Sequence, residues 1–416
     1  MSIRLTPSYK HLLGAFSALA FAIWQTVPCR LEADDFQRVS ELSEPPKLTA
    51  SIVRNVRTLV GKLHVLRPTF NDEISSRGFE TFLMRIDPTK SFFLAEDLLE
   101  FQPYRLKLDD LVQEDSISFT YVAYKRFLQG LEQVAPILHQ QIDAQHDFNT
   151  DESILVQARK NGYAKDLREI TERWRKSIKL KFLQLRSDGK NDQEISEILH
   201  RQYRKNYLDA SQLNADTLLE LYLTSLTNAI DPHTNYIVPD MIGQEPVKPH
   251  GALKLTIQKF YRPDGGSTQL AGVVSDVVLP SLTAKLDVSK RDLEYALLYD
   301  VVAPTQHENY RMVDDAIKAR LQQAADERVA MDPEFGRLQL EIEAFVRQKD
   351  DEIISLNEAK YRARRSDLTS ERVIDEYLES KPERGQVYNA SFYNQEIVHI
   401  ARDYVDLLEG RFAQRE

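Results

Sequence analysis

Lys90 and Ser91 stand side by side in this 416-residue sequence, the most tempting pairing of a serine nucleophile with a lysine base. Such a dyad needs a desolvated lysine whose amine is neutral near pH 7, and backbone N–H groups to receive the developing oxyanion. Neighbouring residues do not face each other on a helix or a strand, and nothing local supplies both requirements. Asp143, His146 and Asp147 recur at i, i+3 and i+4 and could line one helix face as metal ligands. Metal sites use more ligands than this, so a solvated helix end accounts for them. Asp231 and His233 flank Pro232, where capping and turn formation explain them better than acid–base work. Gly265 and Gly266 imitate a phosphate loop, but no helix N-terminus follows to bind an anion, and a hairpin turn is the better reading. The sequence has no nucleotide-binding glycine motif, no H-E-x-x-H helix and no cysteine cluster. It offers no catalytic, cofactor-binding or metal-ligating residue, and no cofactor is expected.

The elements that would position any such residues are mostly helical. Fourteen glycines are few for a loop-rich α/β enzyme and fit a helix-dominated chain. In residues 48–240 the apolar positions recur every three to four residues. Ile52, Val56, Leu59 and Leu63 predict one helix face, and Leu219, Tyr222, Leu226 and Ile230 predict another that ends at Pro232. The period changes at "ALKLTIQ" (252–258). There Leu253, Leu255 and Ile257 alternate with Lys254, Thr256 and Gln258 as in a half-buried strand. "RPDGG" (262–266) is a turn, and "STQLAGVVSDVVL" (267–279) returns as one or two strands. Helical spacing resumes in 291–416, with Ile397, Ile400, Tyr404, Leu408 and Phe412 on one face. The expected fold is mainly α: an N-terminal helical domain, a small β-hairpin segment at 251–290 and a C-terminal helical domain. A lone hairpin is marginal in water, so this one must pack on helices or belong to a larger sheet.

Residues 1–30 read as a secretory signal, with Arg4 and Lys10 before an apolar run too short to span a bilayer comfortably. A polar linker follows at 31–47. Cys29 is the single cysteine, which excludes an intramolecular disulfide, and lipid modification there lacks the residues expected before it. Export to the periplasm or cell envelope is expected, with no membrane span in the mature chain. The net charge of −10 disfavours nucleic acid as a partner. Residues 159–190 are locally basic, with eleven Lys/Arg against four Asp/Glu. A nucleic-acid surface is the sharper reading, but the export signal and the few aromatics available to stack bases weigh against it. A basic helix facing acidic helices of the same chain explains the stretch better, with attraction to an anionic peptide or lipid surface left open.

Several long phrases resemble one family. "RIDPTKSFFLAEDLLEF" (85–101), "RWRKSIKLKFLQLRSDGK" (173–190) and "YLTSLTNAIDPHTNYIVP" (222–239) resemble the N-terminal helical domain of the tail-specific, or carboxy-terminal-processing, serine peptidases of bacterial envelopes. "GALKLTIQKFYRPDGGSTQLAGVVSDVVLPS" (251–281) is similar to the segment that leaves the peptidase core of that family. "EYALLYD" (294–300), "DPEFGRLQLEIEAF" (332–345) and "SLNEAK" (355–360) look like its C-terminal helical domain. Between these parts the family carries a PDZ domain, which grips substrate C-termini, and a core with a serine nucleophile and a lysine base. Here "MIGQEPVKPH" (241–250) is all that joins them, and ten residues cannot fold into a domain of 50 or more. No family catalytic residue carries over: Lys248 lies near the place of the base but has neither its glycine-flanked turn nor a serine partner.

The resemblance implies a non-catalytic module binding an adaptor, a substrate polypeptide or a full-length homologue, or associating with itself. A peptidase acting on envelope proteins, its core supplied in trans with 251–281 completing another chain's sheet, is the alternative. A decayed gene product is the third reading.

Overall fold

The computed structural model describes residues 48–156, 161–238, 250–270, 272–285, 291, 293–306, 308, 310, 312–350, 353–366 and 391–413. The expected signal 1–30 with Cys29, the linker 31–47 and nearly all of the joint 241–250, including Lys248, lie outside these residues.

The described chain is mainly α. In order it forms α1 (Thr49–Leu63), α2 (Asp72–Ile86), α3 (Ala95–Phe101), α4 (Leu108–Gln113), α5 (Ser118–Asp143), β1 (Ser153–Leu155), α6 (Leu167–Ser187), α7 (Asp192–Ser211), α8 (Ala215–Asn228), β2 (Asn235–Ile237) and β3 (Ala252–Lys254). After a long stretch whose described residues are mostly irregular come α9 (Asp315–Met331), α10 (Pro333–Asp350), β4 (Ile353–Ser355), α11 (Glu358–Ser366) and α12 (Phe392–Ala413). Helix starts follow local chemistry. Asn71, Asp166, Asn191, Asn214 and Asp314 each accept a backbone N–H from the first turn of α2, α6, α7, α8 and α9, meeting donors that helix geometry leaves unpaired.

Two apolar cores share α5. The first is built largely from α1, α2, α5 and α8, where Phe82, Phe119 and Tyr222 are fully buried and their rings meet edge-on or tilted. The second joins the end of α5 to α6 and α7 through Ile142, Ile178, Ile195 and Leu199. Phe92 packs against both. It is placed by the "DPTKSFF" loop, where the Asp87 carboxylate accepts the N–H groups of Ser91, Phe92 and Phe93, each at 3.0 Å. The C-terminal region has a much smaller cluster, with Val329, Phe335 and Leu338 buried.

Several expected faces are corrected. On α1 the buried stripe is Ile52, Val53, Val56 and Val60, while Leu59 and Leu63 are exposed. Both sets have helical spacing, and packing against α4 and α8 selects between them. On α12 Ile397 is exposed, Ile400, Tyr404 and Leu408 are half-buried, and the buried position is Glu396; the side chain of Phe412 lies outside the described residues. The strand at 252–258 is regular only as β3. Its partner is upstream, with Asn235 opposite Lys254, Tyr236 opposite Leu253 and Ile237 opposite Ala252, and Ile257 is exposed. The described residues of 267–279 form no named strand, and Val273, Val274 and Val278 are exposed. The turn itself is present: Tyr261 bridges Ser267, and Gly265, at φ +90°, lies where a Cβ would meet the Val302 carbonyl.

The second small sheet links distant parts of the chain. β1 pairs antiparallel with β4, placing Ser153 opposite Ser355, and Leu356 N donates to Glu152 O at 2.8 Å. Residues 353–366 thus dock on the N-terminal helices. Arg186–Glu358 and Arg365–Asp188 ion pairs at 2.8 and 2.7 Å hold α11 there.

Candidate functional site

The approach to the joint is built around Asp231, a fully buried carboxylate just beyond α8. Its Oδ1 accepts from His233 N and faces His233 Nδ1, both at 3.2 Å. Its Oδ2 accepts from Thr234 Oγ1 at 3.0 Å and from Thr256 Oγ1. His64, also fully buried at the end of α1, places Nε2 3.6 Å from Oδ2. Leu66 N donates to His64 Nδ1 at 3.1 Å, so in the neutral ring the proton sits on Nε2, toward the carboxylate. Burial pushes the Asp231 carboxyl up, but donors from His64, Thr256 and His233 outweigh it and hold it well below the usual carboxylate range. Asp231 therefore does more than the turn formation expected of it. It ties α1, the end of α8 and the segment after β3 into one buried knot, and the Val65 N to Thr256 O bond of 2.9 Å reinforces it.

Beyond this knot β2 and β3 bring the two sides of the joint together. Tyr236 Oη donates to His250 O at 3.2 Å. Gly251 has φ +68°, and a Cβ there would stand 2.4 Å from the Ile237 carbonyl, so glycine alone fits both the conformation and the close approach. His233 is a half-exposed imidazole oriented by a carboxylate, the arrangement of a general base. Among the described residues no serine, cysteine or lysine shares a hydrogen bond with it.

The other candidates disperse. Lys90 Nζ donates to Asn161 O at 2.7 Å and Ser91 Oγ to Thr89 O at 3.2 Å, so amine and hydroxyl serve different partners. Burial, with Arg173 nearby, lowers the Lys90 amine, a desolvation the sequence did not reveal. Asp143 binds His200 Nε2 at 2.8 Å, His146 meets the Gln141 carbonyl, and Asp147 accepts from Asn149 N and Thr150 Oγ1. These three converge on no common point, and no group of metal-ligating side chains forms among the described residues. Most cations of the basic helix α6 face acids of the same chain: Arg173 with Glu169, Arg175 with Glu152 and Glu172, and Arg186 with Asp192.

Two features escape a linear reading. Lys179, with a side chain 1% exposed, pairs with Glu152 across 27 positions, and Arg175, ahead of Lys179 and against burial, draws the Glu152 carboxyl down to about 2. His139 and His200 stack with ring planes 3° apart and Nδ1 atoms 2.6 Å apart, and burial and then His200 lower the His139 pKa.

No helix among the described residues is long and apolar enough to cross a membrane. Residues 56–240 match the tail specific protease N-terminal domain, and residues 284–406 match the C-terminal domain of tail specific protease. A curated relative, the Tail-specific protease of Haemophilus influenzae, is 23% identical over 221 residues, 53% of this chain and 31% of the relative. The chain thus aligns with about a third of that relative's length. Carrying the N-terminal and the C-terminal domains of that family, this is a tail-specific protease-like chain.

Proposed function

We propose that the chain is a non-catalytic, protein-binding member of the tail-specific proteases that lacks the PDZ domain and the Ser/Lys core. The pairing of β2 with β3 carries this reading. The entrance to the missing region, at Ile237, and its exit, at Ala252, lie opposite each other in one two-stranded sheet and are locked by Gly251 and the Asp231 knot. Insertions with adjacent ends can be lost without unravelling their host. The interval between the family matches, 241–283, is shorter than the roughly 50 residues of a small domain. Its described part is a ribbon with little regular structure.

That ribbon supplies the binding surface. Ile257, Phe260, Val273 and Val274 are each more than 60% exposed. Apolar side chains exposed along one stretch of backbone mark an interaction surface. A polypeptide partner fits it: an adaptor, a substrate polypeptide, a full-length relative or a second copy. We place the protein in the cell envelope on the basic-then-apolar character of residues 1–30.

The same ribbon favours the second reading, a peptidase whose core comes from another chain and whose sheet the ribbon completes. One experiment separates them. An unstructured peptide with an apolar C-terminus is incubated with the purified chain alone, with a core-bearing relative alone, and with the two mixed. The proposal expects a complex with the relative, no cleavage by the chain alone, and no cleavage in the mixture beyond the relative's own. Serine-dependent cleavage by the chain alone sinks it, and cleavage in the mixture well above the relative's own rate, lost when the relative's serine is replaced, establishes the second reading.

A further inference from the structure

The two cores of the N-terminal region do not meet completely along α5. Between α5, α6, α7 and β1 they leave a cavity of about 730 Å3, within the roughly 300–1,000 Å3 of small-molecule sites. Phe92, Phe127, Leu138, Leu180 and Trp174 give it an apolar wall, and Tyr203 stands edge-on to Trp174 at 5.6 Å.

Its charge is one-sided. Among the described residues Arg173, Lys176 and Lys181 line it and no Asp or Glu does, although the chain as a whole carries −10. Two of these cations are already engaged, Arg173 by Glu169 at 2.6 Å and Lys176 near Glu172 at 3.9 Å. Lys181, half-buried one turn beyond Ser177 on the same face of α6, has no ion-pair partner among the described residues. A half-buried ammonium beside an apolar cavity favours an anion that brings apolar surface with it.

We propose that this cavity binds a long-chain carboxylate, with the acyl chain between α5 and α6 and the headgroup at Lys181. An extended peptide with a free C-terminus also combines apolar bulk with a carboxylate. It would bring an N–H and a C=O per residue that need partners, and the wall is mostly aromatic and aliphatic side chains. An acyl chain makes no such demand. This site is separate from the ribbon, and the inference stands or falls independently of the protein-binding proposal.

Calorimetric titration of the full chain with sodium decanoate, laurate and myristate, each below its micellar concentration, tests it. Saturable one-to-one binding is expected, weakening roughly tenfold for every two carbons removed. Lys181→Gln should weaken laurate at least tenfold at pH 8 and leave 1-dodecanol unchanged, which separates headgroup recognition from a folding defect. Ser177→Trp should fill the cavity and abolish binding of both. Three results overturn the proposal: no saturable binding, equal loss of laurate and dodecanol in Lys181→Gln, or tighter binding of an apolar-tailed peptide with no dependence on acyl length.

Discussion

The N-terminal and C-terminal helical regions have similar helix lengths but are held together in different ways. The first surrounds α5 with two interlocking cores of fully buried aromatic and branched residues. In the second, the one apolar cluster among the described residues is centred on Val329, Phe335 and Leu338, and α12 is fixed to α9 by Arg328, whose guanidinium meets Glu396 at 2.7 Å and Asp403 at 2.8 Å. Ile397, Val398 and Val405 of α12 remain about half exposed. A helix of mixed polarity docks through a few charges where apolar area is scarce, and an ion pair contributes less than a packed core.

Phe82→Ala should have the largest effect, about 3–5 kcal/mol, since it empties the centre of the first core. Chemical denaturation should show the N-terminal transition shifted, α11 following it, and the signals of α9, α10 and α12 little changed. Glu152→Gln should cost about 3 kcal/mol, because Lys179 is left buried beside a neutral group, and Glu152→Gln with Lys179→Met should recover most of it. Arg328→Ala should cost about 1–2 kcal/mol, an effect confined to the C-terminal region and visible as faster amide exchange along α12. Lys205→Ala, which removes an exposed i, i+4 pair with Asp209, should change the midpoint by less than about 0.5 kcal/mol.

Acid sharpens the contrast further. The folded Glu152 carboxyl sits at about 2, below its ordinary 4.5, and Asp231 is also depressed. Their stabilisation is present above the unfolded values and is lost as pH falls from about 4.5 toward 2. His139 is a base held below its ordinary 6.5, so the unfolded chain binds its proton first and stability already slopes downward as pH drops below about 6.5. All three residues belong to the N-terminal region. A thermal midpoint followed from pH 7.5 to 2.5 should decline gently and then steeply for that region. In Glu152→Gln the steep part should be smaller.

What the sequence disclosed follows the range of the interactions. The α8 stripe of Leu219, Tyr222 and Leu226 is buried as its spacing implied, because one helix face meets one core, and Ile230 is buried just past the helix end. The "RPDGG" turn also appears, since proline and glycine restrict the backbone locally. The α1 face was ambiguous because two stripes shared the same spacing, and tertiary packing chose the one containing Val60. Glu152 with Lys179, His139 with His200 and β1 with β4 were hidden, because each joins residues that no local pattern relates. Asp231 was half legible: the turn was readable from Asp-Pro-His, whereas its role as a tertiary hub depended on His64 and Thr256 arriving from elsewhere.

The β1–β4 clasp fixes an order of events in the life of the chain. Ser153 cannot meet Ser355 until about two hundred intervening residues have been synthesised, so the pair is a late, high-contact-order contact that closes on helices already formed. Once closed, it makes the polypeptide tolerant of a break. A protease nick in the ribbon after β3 would leave two fragments still gripping each other, travelling together in gel filtration and parting only in denaturant.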